Sequence, residues 1–593
     1  VNESAVAHWH FPAKPSAHPR AFLFALWFLS LALPSLDPEE TARKAESLVM
    51  EETSQNESSV LDTGPADTRP RIRVGLLEGY ERVSFRVNGP FAIEDLSGKV
   101  IRATASSNLK WRVRVEEAVP SQFLYSVLVI AFPEKAEAMA LAESLEKDGE
   151  HAYVRALGGP VEVAGEILRD NTRYRVQVGN FLKKEEADKL LSKFASDYAP
   201  RVVRELMQRV SGKIEVFDAN LDETRTVSDG FRIVPVDFTV ETEIFGVRIG
   251  TGFRWEKEED RAYSGIVEIR LDHEGKLCAI SEVPIDVYLR GVVPAEMPAG
   301  FPAEALKAQA VAARSEVLAK LHTRHLNDFV DVCATVHCQL YAGATHEDPR
   351  TNEAVIETTG EVLMRDGVLM DGVYSAVCGG HTEDASLVWA SPQPYAPKGV
   401  WCCDTNHTQT FDLTKEEDVR EWILSKPDVY CNVPAQLLPV APDYTRRHFR
   451  WEITYNRHEL EKIITRNTGH DIGTFYDIIP LERGVSGRLM LVEILGSHMN
   501  LKIKKEINIR RALSPTMLES SCFIVDIQQD EEGLPVEITL SGAGWGHGSG
   551  MCQVGAASLA LQGKTYREIL AHYYSGSTVA HCYSLPPPTY FPE

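Results

Sequence analysis

The sequence predicts a mixed α+β chain of several domains. Three observations carry that prediction. The 593 residues exceed what one hydrophobic core usually organises, a strand–helix–strand pattern occurs twice in succession, and the second half alternates strand-like runs with one long alanine-rich helix. With 44% hydrophobic and 25% charged residues, the composition is globular. The formal net charge is −23, and no long Lys/Arg block offsets it. That weighs against a nucleic-acid partner, whose phosphates demand a basic footprint, and leaves neutral or zwitterionic polymers such as glycans open.

The first element is the apolar run "AFLFALWFLSLALPSL", residues 21–36, with Lys14 and Arg20 before it and Pro34 ending it. At roughly 12–15 apolar residues it is short for a membrane span and near the size of a signal-peptide core. Residues 1–36 therefore read as a signal peptide or membrane anchor, and the chain as an exported protein of the cell envelope. An acidic linker follows over 37–69, then a small β-rich segment over 70–120.

The repeat comes next. "YSVLVIAFPEKAEAMALAESL" begins at Tyr125 and "YRVQVGNFLKKEEADKLLSKF" at Tyr174, an offset of 49 residues. Each opens with β-branched alternation and turns helical. Ala138, Leu141, Ala142 and Leu145 form one apolar helix face, and Ala187, Leu190, Leu191 and Phe194 the other. "HAYVRAL" and "RVVREL" supply a strand after each helix, so 121–207 is a βαββαβ unit with four strands and two covering helices. This unit resembles a SPOR domain, the module that binds peptidoglycan strands stripped of their peptides. Its second half is the closer match, through Tyr174, Val176, Gln177, Val178, Gly179 and Phe181. The resemblance makes Gln177 and Phe181 candidates for glycan contact.

Residues 210–593 form the last region. A strand-rich stretch leads to "YLRGVVPAEMP", then a helix from about Pro302 to His322 whose run "AEALKAQAVAARSEVLAKL" is dominated by alanine. Such small side chains predict that a neighbouring backbone approaches closely. "GGHTEDASLVW" and "GWGHGSGMCQVGA" with "ILAHYY" follow. Together these motifs, in this order, resemble the stage II sporulation protein D (SpoIID)/LytB family over most of residues 260–593. The family includes lytic transglycosylases that cleave glycan strands lacking stem peptides and LytB-type enhancers of cell-wall amidases. The resemblance implies that Glu296, in the Pro-x-Glu-Met-Pro stretch, is the catalytic acid. It also implies peptidoglycan glycan strands as partner, with a cell-wall amidase as a second partner under the enhancer reading.

The residues suit a lone carboxylate. Pro294 and Pro298 restrict the backbone on both sides of Glu296. Ordinary glycosidases need two carboxylates. A lytic transglycosylase uses one, because the C6 hydroxyl of N-acetylmuramic acid attacks C1 and leaves a 1,6-anhydro end. Placed just ahead of the alanine-rich helix, Glu296 would be favoured as an anion by the dipole, while burial would favour the neutral acid. The two effects oppose each other. Gln309 and Arg314 of "ALKAQAVAARS" are added as substrate-binding candidates.

In "GAGWGHGSG" the bulky Trp545 and His547 sit where a phosphate loop needs bare backbone, so a nucleotide site is rejected. Trp545 is a candidate to pack on a sugar ring and His547 to hydrogen-bond substrate; core and structural roles are the alternatives. No cofactor is required by the chemistry. "CATVHC" nevertheless offers Cys333, His337 and Cys338 to zinc, with His322 and His325 shortly before, and an open fourth position would mark a catalytic ion. All ten cysteines lie between Cys278 and Cys582, and Cys378, Cys402 and Cys403 serve equally well as ligands or disulfide partners. Residues 407–540 are expected to be a β-rich supporting insert, with "HFRWEITYNRHELEKII" a strand then a helix and "GVSGR" a hairpin turn.

Overall fold

The computed structural model describes residues 69–583 apart from 105–108, 195–197, 199, 219–223, 252–255, 390–394, 404–410 and 434–446. The expected leader (1–36) and all but the last residue of the expected linker (37–69) lie outside the described residues. The architecture is mixed α+β. Among the described residues, no helix is long and apolar enough to cross a membrane.

Two antiparallel-rich sheets share one core. The first runs Val332–Cys333, Arg71–Tyr80, Leu277–Pro284, Ile266–Leu271, Gly230–Pro235, Phe91–Asp95 and Val100–Thr104 from edge to edge. The second runs Thr224–Ser228, Ser211–Asp218, Trp111–Val119, Arg82–Val87, Glu241–Ile249 and Lys257–Ser264. Period-2 alternation sets the faces: Trp111 and Val113 point inward while Arg112 and Arg114 are exposed. Ile72, Val74, Phe85, Phe231, Ile244 and Ile269 join them, with Phe85 stacked on Trp111. The expectation of a separate segment at 70–120 is corrected here. Its strands pair with strands from 211–284, because each alone leaves an apolar face that only the other set can cover.

The repeat grows out of one hairpin of the second sheet. Trp111–Val119 and Ser211–Asp218 pair from Trp111↔Asp218 to Val119↔Ser211, and the repeat lies between them. Its four strands run Arg201–Gln208, Gln122–Phe132, Arg173–Phe181 and Ala152–Leu157, all antiparallel. Helix Lys135–Lys147 buries Ala138 and Ala142 on this sheet. The second expected helix is split into Lys184–Asp188 and Leu191–Phe194, since Leu190 and Lys193 donate to carbonyls three residues back and tighten the turn. A hairpin, Pro160–Val163 with Glu166–Asp170, carries Val161, Val163 and Leu168 into the main core.

The last region is built on two consecutive helices, Ile285–Glu296 and Ala303–Lys320. The second is buried on nearly every face, and the predicted close approach is real: a Cβ on Gly372 would lie 2.2 Å from the Ala312 carbonyl oxygen. Ala305, Ala308 and Ala312 pack in one cluster with Val554, Ala556 and Ala557 of helix Gln553–Leu561. Within 407–540, strands Arg450–Asn456, Pro535–Ala543 and Phe523–Gln529 form one sheet and Phe475–Arg483, Leu489–Gly496 and Leu501–Lys504 another. Helix Arg457–Thr468, capped by Asn456 and ended by left-handed Gly469, follows the strand as expected. These elements enclose a core of their own around Phe475, Val492 and Leu540.

Arg314 is the joint of the helical part. Fully buried, it donates to Asp286 Oδ1 (3.0 Å), Glu361 O (3.1 Å) and Val355 O (3.4 Å), while Tyr583 donates to the same carboxylate at 2.9 Å. Removing one partner strands the other charge in the interior. Arg314→Met is expected to cost about 3–5 kcal/mol of stability in denaturant melts. A variant that melts with the wild type would show that the pair joins nothing.

Candidate active site

Glu296 is the last residue of helix Ile285–Glu296, not a loop residue ahead of the next helix. That corrects the dipole expectation: its backbone sits at the negative end of one helix, where an anion gains nothing. Pro294 lies inside the helix, and Pro298 follows the β conformation of Met297. Glu296 is partly buried, and its Oε1 accepts the Leu340 N–H at 2.7 Å. Burial pushes its pKa up to about 7, against the opposing pull of the Leu340 amide, Lys320 and the Tyr374 hydroxyl. Desolvation wins.

A polar chain holds these partners. Tyr288 Oη donates to Gln339 Oε1 at 3.0 Å, and Gln339 Nε2 donates to Tyr374 Oη and to Ala313 O, both at 3.2 Å. Lys320 Nζ is fixed by Glu316 (2.6 Å) and Cys338 O (2.7 Å). Neither Tyr374 nor Gln339 belongs to the motifs singled out in the sequence. The available signal was a polar residue inside each apolar stretch; nothing local points to the Leu340 amide.

The "GWGHGSG" turn is zipped to "VCGGHTED". Val377 and Trp545 exchange backbone bonds of 2.7 and 3.2 Å, and the Glu383 N–H donates to Gly548 O at 2.9 Å. Gly548 and Gly550 have positive φ, and a Cβ on Gly550 would meet the Val373 carbonyl oxygen at 1.8 Å. His547 Nδ1 accepts the Ser549 N–H at 3.1 Å, which leaves Nε2 as the protonated donor. Burial and the nearby Arg488, Arg510 and Lys320 push its pKa down to about 3, so the ring stays neutral. Trp545 is half-exposed and stacks on His448 with centroids 4.0 Å apart. Glu383 is tied down by four donors, Ser486 Oγ (2.6 Å) and the amides of Asp384, Val485 and Ser486, although burial still raises its pKa. The expected turn at "GVSGR" exists, closed by the Gly484 N–H on Arg488 O.

Other candidates are placed differently. Gln309 has no exposed surface and accepts from Gln553 Nε2 at 3.3 Å, so it joins two helices. Arg314 is the buried joint described above. Neither presents an atom to a glycan, because the alanine-rich helix is enclosed. Gln177 is 1% exposed and donates to Ser126 Oγ at 3.1 Å. Arg155 and Glu205, from the two edge strands, pair with each other across this sheet. Direct glycan contact by Gln177 is thereby corrected. Phe181 is half-buried opposite Tyr125. A surface depression of about 920 Å³ lined by His458, Lys462, Asp471 and His498 contains none of the candidates.

Cys333, His337 and Cys338 come together with a fourth residue, His325, all donor atoms lying within 4.8 Å of one another. Cys338 Sγ is 3.4 Å from His325 Nε2, and Cys333 Sγ is 3.6 Å from His337 Nδ1. His325 Nδ1 meets Asp328 at 2.8 Å, the carboxylate–histidine arrangement that orients a metal ligand. This donor set fits a closed tetrahedral zinc. With His325 as a fourth donor, the set leaves no open position of the kind that would mark a catalytic ion.

Comparison with known proteins gives three matched regions. The Stage II sporulation protein family (SpoIID) matches residues 273–364, the SPOR domain 121–204, and a domain of unknown function (DUF8618) 396–550. The chain thus carries SpoIID and SPOR domains. It is 28% identical over 374 residues to an amidase enhancer of Bacillus subtilis, covering 62% of this chain and 49% of that one, so the chain spans about half the length of that relative. It is 26% identical over 321 residues to stage II sporulation protein D of the same organism, covering 51% of this chain and 76% of that one. The solved peptidoglycan binding domain of the B. subtilis cell wall lytic enzyme CwlC is 30% identical, covering 15% of this chain and 95% of that one, with a TM-score of 0.11.

The buried carboxyl makes stability pH-dependent. With a folded pKa of about 7 against 4.5 unperturbed, the folded chain holds the proton more tightly, so stability falls as pH rises between these values. Above pH 7 the loss reaches about 3 kcal/mol. Glu296→Gln lacks this term. In melts across pH 4–8 it is expected to gain on the wild type through that window, with the gap closing in acid. A gap independent of pH would place the Glu296 carboxyl in water.

Proposed function

We propose that this chain, with its SpoIID and SPOR domains, is a peptidoglycan lytic transglycosylase of the cell envelope that cleaves glycan strands lacking stem peptides. The observation that carries the reading is one partly buried carboxyl, Glu296, with a pKa near 7, while the neighbouring Glu316 is held by Lys320 and Glu383 by Ser486. Neutral Glu296 donates its proton to the glycosidic oxygen between N-acetylmuramic acid and N-acetylglucosamine. As that bond breaks, the C6 hydroxyl of the muramic acid forms a bond to C1. The Glu296 carboxylate takes the hydroxyl proton, which restores the acid and leaves a 1,6-anhydro end and a free C4 hydroxyl. The Leu340 amide and Tyr374 hydroxyl steady the carboxylate between the two transfers. A pKa near the working pH suits a group that must serve as acid and then base. Trp545, half-exposed beside the zipped turn, offers a face for a sugar ring.

The SPOR module supports the same substrate by holding the chain on peptidoglycan. His325, Cys333, His337 and Cys338 would hold a zinc ion, which would supply no acid or nucleophile but would fix the segment that ends in the Leu340 amide. A second reading has one observation behind it, the amidase enhancer among the relatives. There the chain holds glycan for a partner amidase and cleaves nothing.

Mass spectrometry of denuded strands is expected to find 1,6-anhydro-muramic ends with wild type, and about 10²–10⁴-fold fewer with Glu296→Gln. Reducing ends would mean hydrolysis, and intact strands that stay bound would favour the enhancer. Cys333→Ser is expected to lose one zinc per chain and to slow cleavage about tenfold or more. Full metal-free activity would detach that site from Glu296.

A further inference from the structure

A second group of cysteines lies apart from the first, inside the core that backs the zipped turn. Cys378, Cys402, Cys431 and Cys552 are all buried, and their sulfurs all lie within 4.8 Å of one another. They come from four segments: the "CGG" turn, "WCC", the turn after helix Glu416–Leu424, and the N-cap of helix Gln553–Leu561. We propose that these four cysteines bind one zinc ion as a closed tetrathiolate site that fastens the "CGGHTED" turn to the start of the "CQVGA" helix.

The spacing fits a single tetrahedral ion. Zinc–sulfur bonds of about 2.3 Å in a tetrahedron put sulfurs about 3.8 Å apart. Cys378 and Cys431 stand 3.7 Å apart. Iron–sulfur clusters insert sulfides and several metal ions, so their cysteines stand wider. Two disulfides would draw the sulfurs into bonded pairs, yet all four are free thiols.

The donors around the sulfurs point the same way. The Cys378 N–H donates to Cys552 Sγ (3.3 Å), the Gly380 N–H to Cys378 Sγ (3.4 Å) and the Gly555 N–H to Cys552 Sγ (3.4 Å). The Tyr573 hydroxyl lies 3.2 Å from Cys402 Sγ. A thiol is a weak acceptor, whereas a metal-bound thiolate uses such donors to spread its charge. Gly379 and Gly380, with φ of +84° and +116°, make the turn that returns the Gly380 amide to the sulfur. Gly555 lets the helix start come in: a Cβ there would lie 2.0 Å from the Tyr573 hydroxyl and 2.8 Å from Cys402 Sγ. Loading converts four thiols to thiolates and releases four protons, so the filled site carries two negative charges. Arg450 lies beside Cys378 and Cys431 and donates to Gly379 O at 3.0 Å, a cation placed for that charge. Cys522, also buried, instead donates to Ser486 O and stays outside the set.

The site would fasten more than a loop. Ser375 pairs with Cys552 and Tyr374 with Met551 in a two-residue parallel bridge, so the metal would hold the strand end that carries Tyr374 to Glu296.

Zinc is measured by mass spectrometry on the purified full chain and on Cys333→Ser, Cys431→Ser and the double variant. Two zinc ions per wild-type chain, one in each single variant and none in the double are expected. Should Cys431→Ser fail to fold, the Cys333→Ser chain loaded with cobalt is expected to show the intense sulfur-to-cobalt absorption of four thiolates. A wild type with one zinc that Cys333→Ser removes, a disulfide within the set in non-reducing peptide maps, or bound iron in place of zinc would each overturn the proposal.

Discussion

Everything around Glu296 is referenced to one enclosed helix, Ala303–Lys320. A helix buried on nearly all faces cannot rely on an amphipathic stripe, so its neighbours must come close at every turn of it. Alanine makes that possible. Gly372 crosses at Ala312, helix Gln553–Leu561 packs at Ala305 and Ala308, and the Ala313 carbonyl takes the Gln339 amide that leads to Tyr374. Its charged residues are used as joints: Arg314 ties in helix Ile285–Glu296 through Asp286, and Lys320 faces the acid. A larger side chain at any of these alanines would push against backbone, which has nowhere to move.

The state of Glu296 follows from a contest of magnitudes. Burial favours the neutral acid; one backbone amide, one hydroxyl and one ammonium favour the anion. Glu383 shows the contrast within the same fold, since four donors converge on it and leave it no free lone pair for chemistry. Burial raises the pKa of both carboxyls, so the count of N–H and O–H donors within reach decides which oxygens stay free, not the direction of the shift.

That count explains what could be read from the chain. Periodicity exposed the βαββαβ unit, the alanine-rich helix and the strand-then-helix at 450–468, because each is set by local pattern. The pairing of 70–120 with 211–284 was not legible, since strand partners 92 or more residues apart leave no local mark. Glu296 stood out by its prolines, but its helix end did not, because a helix interior proline argues against helix. His325 was noted as near "CATVHC", yet only folding shows that it, rather than His322, completes the set. Gln177, Gln309 and Arg314 misled in one way: a polar residue inside a motif can be there to be buried.

The repeat is fastened to the region that carries Glu296. It leaves and re-enters through paired strands, and its hairpin returns to the far end of the alanine-rich helix. There Asn171 Nδ2 donates to the Ala319 and Leu321 carbonyls at 3.0 and 2.8 Å, filling acceptors that a helix end leaves open, and Arg169 bonds Asp371 at 2.7 Å. A module on a flexible tether raises local concentration without fixing direction. One fastened at three places is held in a set orientation relative to Glu296.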